Sequence, residues 1–270
     1  VKINEQGNFL EEKRSYAELW KNGHKVAHHL LDEKMKQGDS FAIIMQNHPE
    51  FVDTMVGSSI IGTIFVPIDP RTKGKKLAFM LNHADCKGAV IGDYAIDNLN
   101  EIINECPRLE WLWIVGTDNE CSLRKKSFSE ILMSDCSEID IRVSKPELPM
   151  QMLYTSGTTG DPKAILSPYA RFGFVAGLGE ALGLTKDDRP YTGLSLTHAN
   201  AQLITLGTTL AMGLNGVFSQ KFTKSRLWDI TRHYDCTMFN LLGGMTTAIY
   251  SEPERADDKN NPVRYVLSAG

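Results

Sequence analysis

Apolar residues recur at helical spacing at Leu19, Trp20, Val26, Ala27, Leu30 and Leu31, and the polar step Ser15-Tyr16-Ala17-Glu18 before them has the form of a capping box. The pattern predicts a helix that starts at Ser15. Gly38-Asp39 marks a turn, and the run Phe41-Ala42-Ile43-Ile44-Met45 reads as a strand that Asn47-His48-Pro49 ends. A helix over residues 50–61 would bury Phe51, Val52, Met55, Val56 and Ile60, with Gly62 closing it and Ile64-Phe65-Val66-Pro67 as the next strand. The alternation continues with helix 75–82, strand 88–91, helix 96–104 and strand 111–115. Residues 116–147 are polar and weakly periodic, so a loop with one short helix at 128–133 is expected. The second half predicts strands 150–154 and 164–166, then a long helix 168–182 opened by Pro168, whose missing N–H costs nothing in a first turn. Strand 191–196, helix 199–212, strand 216–219, helix 225–233, strand 236–240, helix 244–250 and a last strand from Tyr265 complete the series.

Strands alternating with helices imply an α/β fold, with parallel sheets flanked by helices on both faces. Ligands of such sheets sit at the carboxyl ends of the strands. One strand end has an unusual composition. After Met150 to Tyr154 the chain runs Thr155-Ser156-Gly157-Thr158-Thr159-Gly160-Asp161-Pro162-Lys163. Glycines let a backbone approach a ligand closely, and successive N–H groups in such a bend form a concavity for an anion. Hydroxyls of Thr155, Ser156, Thr158 and Thr159 add donors, and Lys163 adds a full positive charge. A flexible linker has similar composition, but a linker does not normally separate two strand-like runs, and Ala164-Ile165-Leu166 resumes at once. The P-loop pattern G-x-x-x-x-G-K-[ST] fails, because Gly160 is followed by Asp161-Pro162-Lys163-Ala164. A polyphosphate site remains the preferred reading, with Lys163 as a solvated lysine after a turn as its rival.

Length allows one large α/β domain or two small ones. The formal net charge of −4 argues against a general nucleic-acid binder. The basic clusters Lys73/Lys75/Lys76 and Arg124/Lys125/Lys126 read as solvated loop or helix-end charges. Five cysteines, an odd number without a C-x-x-C pair, fit reduced thiols of a cytoplasmic protein rather than a disulfide framework. No metal-ligand spacing occurs, so no structural metal is expected. There is no signal peptide and no apolar run long enough to span a membrane. Tyr265 to Gly270 reads as a strand entering a glycine turn, which suggests a portion of a longer protein.

Tyr154 to Lys163 matches every defined position of Tyr-Thr-Ser-Gly-Thr-Thr-Gly-x-Pro-Lys. There the chain resembles the adenylate-forming (AMP-binding) enzymes: acyl-CoA synthetases, luciferases and peptide-synthetase adenylation domains. It departs at Ala164, where the family usually has glycine, and at Ser167-Pro168-Tyr169, where a Thr/Ser-His pair is common. The segments Gly38-Asp39-x-Phe41-Ala42-Ile43-x-Met45-x-Asn47-x-Pro49-Glu50-Phe51 and Gly62 to Pro70 are similar to early segments of acyl-CoA synthetases. Family members continue with a Tyr/Phe-Gly-x-Thr-Glu segment, a ribose-binding aspartate and a small C-terminal domain that supplies a lysine. None of these lies in residues 1–270. The resemblance therefore implies a partial N-terminal adenylation domain over 1–270, with approximate subregions 1–147 and 148–270.

The implied activity is ATP-dependent activation of a carboxylic acid as an acyl-adenylate, then transfer to coenzyme A. The implied cofactors are ATP, Mg²⁺ and coenzyme A. The implied partners are a small carboxylic acid and the C-terminal domain of the same protein. A peptide-synthetase-type adenylation domain and a non-catalytic nucleotide-binding relative are the alternatives, and the given chain alone is expected to be inactive. Thr155, Ser156, Gly157, Thr158, Thr159, Gly160 and Lys163 are expected to hold the ATP phosphates, with Lys163 the catalytic cation. His198, beside Asn200 and Gln202, occupies a place where family members have a histidine lining the acyl pocket. The segment His198 to Gln202 is loosely similar to crotonobetaine/carnitine-CoA ligases. A helix cap or a satisfied buried histidine is the other reading of His198. Asn240 and Gly243, with Gly244, either make room for an acyl chain or form a turn and helix start. Ser268, Ala269 and Gly270 resemble the start of the segment that packs on adenine.

Overall fold

The computed structural model of the chain describes residues 1–117, 119–155 and 162–269. They form two compact units, Lys13–Ala170 and Val1–Glu12 with Arg171–Gly270.

The unit Lys13–Ala170 is built on seven strands in the spatial order Arg124–Ser127, Trp111–Val115, Gly88–Gly92, Ser40–Ile44, Ile64–Pro67, Pro149–Thr155 and Lys163–Pro168. Every neighbouring pair is parallel except the last, which is antiparallel. The central strands are buried at every residue, as sheets covered on both faces require. On one face Ala42, Val66, Ile91 and Leu112 pack with Leu77 and Leu81 of helix Gly74–His83 and with Ile96 and Leu99 of helix Ile96–Asn100. On another part of the sheet the rings of Phe41, Trp111, Trp113 and Phe128 follow one another at centroid spacings of 5.8, 4.7 and 6.5 Å.

Helix Tyr16–Asp32 starts where the capping box places it: Ser15 Oγ accepts from Glu18 N at 3.2 Å, and Glu18 Oε2 accepts from Ser15 N at 2.7 Å. Helix Pro49–Ile61 has Pro49 in its first turn and ends at Gly62, whose φ of 79° is left-handed.

Asp53 of that helix has no solvent exposure, although Arg14 Nε (3.3 Å) and Asn22 Nδ2 (3.1 Å) donate to it. Desolvation outweighs these partners and raises its carboxyl from 3.8 to about 6. The folded state therefore binds more protons than the unfolded chain between those values, and stability falls as pH rises through that window. Relative to Asp53→Asn, the protein is expected to lose about 3 kcal/mol between about pH 3 and pH 7, and nothing further above that. Chemical denaturation of both proteins across this range checks it; parallel profiles would contradict it.

The expected loop 116–147 contains a strand, Arg124–Ser127, besides the expected helix Phe128–Met133. Its sequence is Arg-Lys-Lys-Ser, which carries no strand signal because an edge position needs no apolar face. The cluster is not merely solvated. Arg124 pairs with Glu33, Lys125 Nζ donates to the Asn119 carbonyl at 3.0 Å, and Lys126 Nζ lies 3.0 Å from His29 Nδ1. The expected helix 96–104 shrinks to Ile96–Asn100, followed by a 3₁₀ turn Ile103–Glu105. Asn98 and Asn100 donate instead to the carbonyls of Pro70 (3.1 Å) and Glu120 (2.9 Å), and asparagine is a weak helix former.

The second unit holds a four-stranded parallel sheet in the order Val217–Phe218, Pro190–Thr192, Met238–Leu242 and Tyr265–Ala269. Tyr191, Phe239 and Leu241 pack with Leu227 and Ile230 of helix Leu227–His233. An antiparallel pair, Lys2–Ile3 with Phe9–Leu10, precedes it, and the Val1 amino group donates to the Phe218 carbonyl at 2.6 Å. Two-residue strands leave no periodic trace, so the sequence showed no element there.

Several boundaries move. Pro168 ends strand Lys163–Pro168 instead of opening a helix, and the single helix 168–182 becomes Tyr169–Ala176 and Leu178–Ala181. Gly173, Gly177 and Gly179 weaken helix continuity there. The expected strand 191–196 is only Pro190–Thr192, and strand 236–240 is shifted to Met238–Leu242. The expected α-helix 199–212 is π-helical over Asn200–Leu206 and α-helical only over Gly207–Met212.

Candidate functional site

The hydroxyl-and-glycine stretch leaves the carboxyl end of strand Pro149–Thr155, in a sheet whose other neighbours run parallel to it. Thr155 is the last residue of that strand and Lys163 the first of the next, and the two stand opposite each other in the antiparallel register. Thr155 Oγ1 donates to the Lys163 carbonyl at 3.4 Å. Both side chains are exposed. The two residues that flank the stretch thus stand side by side on neighbouring strands, with the Lys163 side chain exposed. Ser156, Gly157, Thr158, Thr159 and Gly160 lie outside the described residues.

The other expected site residues belong to the second unit. His198 follows strand Pro190–Thr192 by six residues, whereas the expected strand 191–196 would have ended just before it. Its N–H donates to the Ser195 carbonyl at 2.9 Å, and its carbonyl accepts from Gln202 N at 3.1 Å, so the backbone turns into the π-helix here. The imidazole is exposed, which excludes the buried-histidine reading. The N-cap residue of the π-helix is Ala199, not His198.

Asn240 sits inside strand Met238–Leu242 rather than at its end, and is 1% exposed. Its Nδ2 donates to the Asn200 carbonyl at 3.1 Å and to Asn200 Oδ1, while Asn200 Nδ2 donates to the Leu241 carbonyl at 3.3 Å. These bonds, from the Asn240 amide to Asn200 and from the Asn200 amide to the Leu241 backbone, pin the π-helix to the strand. They were not legible in the sequence, since the two asparagines are forty positions apart. Asn240 is thus a brace for the wall carrying Asn200 more than an open contact. π-Helical turns are frequent at functional sites, where the extra residue re-aims side chains.

Gly243 is the first residue of helix Gly243–Tyr250, which starts directly at the strand end with no side-chain cap. Of the two readings of Gly243 and Gly244, the helix start is the one observed. Gly244 nonetheless faces open space, since a Cβ there would meet nothing within 4 Å. Ser268, on strand Tyr265–Ala269, is exposed, and its Oγ lies 3.0 Å from Thr246 Oγ1 of that helix. Sequence reasoning missed Thr246. The backbone of Ala269 ends the strand opposite Leu242, and Gly270 lies outside the described residues.

Among the described residues no helix is long and apolar enough to cross a membrane. Among the described residues of the stretch, the exposed Lys163 supplies the positive charge that suits an anion, beside the exposed Thr155; Asp161, the carboxylate of the same stretch, lies outside the described residues.

Comparison with known proteins gives a match over residues 6–270 to the family model described as AMP-binding enzyme. Among curated proteins, the chain is 26% identical over 269 residues to long-chain fatty acid transport protein 6 of Mus musculus, covering 95% of this chain and 42% of that protein. It is 28% identical over 230 residues to the medium/long-chain-fatty-acid–CoA ligase FadD17 of Mycobacterium marinum, covering 83% of this chain and 42% of that protein. The chain thus spans less than half the length of these relatives. Among solved structures, o-succinylbenzoate CoA synthetase of Bacillus subtilis with its acyl-adenylate superposes with a TM-score of 0.78 at 21% identity, covering 100% of this chain and 64% of that one. The N-terminal domain of FACL13 from Mycobacterium tuberculosis gives 0.80 at 21% identity, covering 94% and 62%.

Proposed function

The chain belongs to the AMP-binding enzyme family, and from that premise we propose that it is the N-terminal part of an AMP-forming acyl-CoA ligase. The reading is supported most by one observation: Thr155 and Lys163 face each other at the carboxyl end of a strand in a largely parallel sheet, where an anion site belongs. The proposed reaction joins a carboxylate to the α-phosphate of ATP and expels pyrophosphate, after which the thiol of coenzyme A displaces AMP. Two anions must meet in the first step, so neutralising charge is the main task. Residues 155–160 and 163 would hold the β- and γ-phosphates through N–H groups, hydroxyls and the Lys163 ammonium. Mg²⁺ bound by the phosphate oxygens would neutralise further charge. His198 is assigned to the acyl side, as the family resemblance implies, and its imidazole is exposed. Relatives named for medium- and long-chain fatty acids make such acids the first substrates to try. The C-terminal domain of the same protein would complete the machinery, and a cytoplasmic location is part of the proposal.

The test is ATP–pyrophosphate exchange by the full-length protein with a panel of carboxylic acids. Exchange that requires one class of acid is expected. A protein that binds ATP but exchanges with no acid would be a nucleotide-binding relative without ligase activity. His198→Ala is expected to raise the KM for the acid several-fold while leaving that for ATP within about twofold, on the scale of one lost hydrogen bond. An unchanged acid KM would take His198 out of the pocket.

A further inference from the structure

Tyr154 immediately precedes the candidate phosphate stretch, and its hydroxyl is held twice. The phenol donates to the Met80 carbonyl at 3.1 Å, and His83 Nδ1 lies 2.8 Å from the same oxygen. A phenol carries one proton. With that proton given to Met80, the oxygen must accept from His83, which therefore bears its proton on Nδ1. Burial pushes the Tyr154 hydroxyl above the usual phenol range, so it stays a donor. The His83 ring stands edge-on to Tyr154 at 5.9 Å and stacks on Phe79 at 5.3 Å. All these partners lie in the last turns of helix Gly74–His83.

The backbone gives such a brace a task. Among the described residues, strand Pro149–Thr155 is paired to the interior strand Ile64–Pro67 only where Phe65 stands opposite Gln151. On its other side it pairs with Lys163–Pro168, which is itself the edge of the sheet. Residues 152–155, which lead into the phosphate stretch, are thus laddered to an edge strand alone. The Tyr154 side chain ties them to a helix packed on the sheet.

We propose that Tyr154 is a positioning residue for the nucleotide: the His83–Tyr154–Met80 brace fixes the strand end from which Thr155 and Lys163 address the phosphates of ATP. This rests on reading residues 155–163 as the phosphate site.

Calorimetric titration of the full-length protein with ATP and Mg²⁺, in the absence of acid, tests it. Tyr154→Phe keeps the ring and loses both bonds, and is expected to raise the Kd for ATP about five- to tenfold. His83→Ala should weaken ATP binding in the same direction. His83→Asn, whose amide N–H takes the place of Nδ1–H, should restore it. In exchange assays the KM for ATP should rise while that for the acid stays unchanged, a split that general loosening of the fold would not produce. If Tyr154→Phe does not fold, the two His83 variants decide. Variants with wild-type affinity, beside a wild type that binds ATP, overturn the role of the brace. A wild type that binds no ATP overturns the phosphate reading itself.

Discussion

Lys163→Ala is expected to lower acid-dependent ATP–pyrophosphate exchange of the full-length protein by about a hundredfold or more, the usual cost of removing one aligned charged donor from a developing anion. The lysine opens strand Lys163–Pro168 directly opposite Thr155. Its backbone is therefore fixed by ladder hydrogen bonds, while its side chain remains exposed. That combination suits a residue that reaches for a ligand from a rigid base. A surface lysine after a turn would have no such dependence, and exchange at the wild-type rate in the variant would remove Lys163 from the mechanism. Lys163→Arg keeps the charge and should recover part of the loss, because a planar guanidinium does not reproduce a compact ammonium.

The second large effect concerns stability. Helices Tyr16–Asp32 and Pro49–Ile61 meet at Gly23 and Gly57. A Cβ at residue 57 would lie 2.4 Å from Val26 Cγ1, 2.5 Å from Val26 Cβ and 2.8 Å from the Gly23 carbonyl oxygen. Two of these are a branch point and a backbone atom, neither of which can swing aside, and Val26 is itself fully buried. Alanine is the better helix former by about 1 kcal/mol, but overpacking of this severity costs about 3 kcal/mol or more. The clash wins. Gly57→Ala is expected to lower the melting temperature on the order of 10 °C. An unchanged melting temperature would mean that the two helices do not approach closely at this point. The reason for glycine is proximity alone, since Gly57 lies within the helix and is not among the glycines with positive φ.

What could be read from the sequence was local. The capping box at Ser15 and Glu18 and the Pro49-to-Gly62 frame of the second helix are short-range hydrogen-bonding and steric facts, and both stand in the structure. The buried strands Ser40–Ile44, Gly88–Gly92 and Trp111–Val115 were legible because a covered parallel sheet demands unbroken apolar runs. Strand Arg124–Ser127 was not, since its pairing with Trp111–Val115 uses backbone groups that any sequence carries. The candidate phosphate stretch announced itself by composition, as a run of small hydroxyl and glycine residues between apolar runs. Its supports did not. His83 and Tyr154 are 71 positions apart, and Asn200 and Asn240 are joined only by folding. The π-helical Asn200–Leu206 was read as ordinary helix because one extra residue per turn barely alters an apolar pattern over seven residues.

The proposed ligase rests on the stretch between Thr155 and Lys163 holding the phosphates of a nucleotide. A crystal structure of the full-length protein with ATP and Mg²⁺ tests it most directly. The β- and γ-phosphate oxygens are expected within hydrogen-bonding distance of the Thr155 hydroxyl, the backbone N–H groups that follow it, and Lys163 Nζ. A triphosphate seated elsewhere, away from residues 155–163, would rule this reading out.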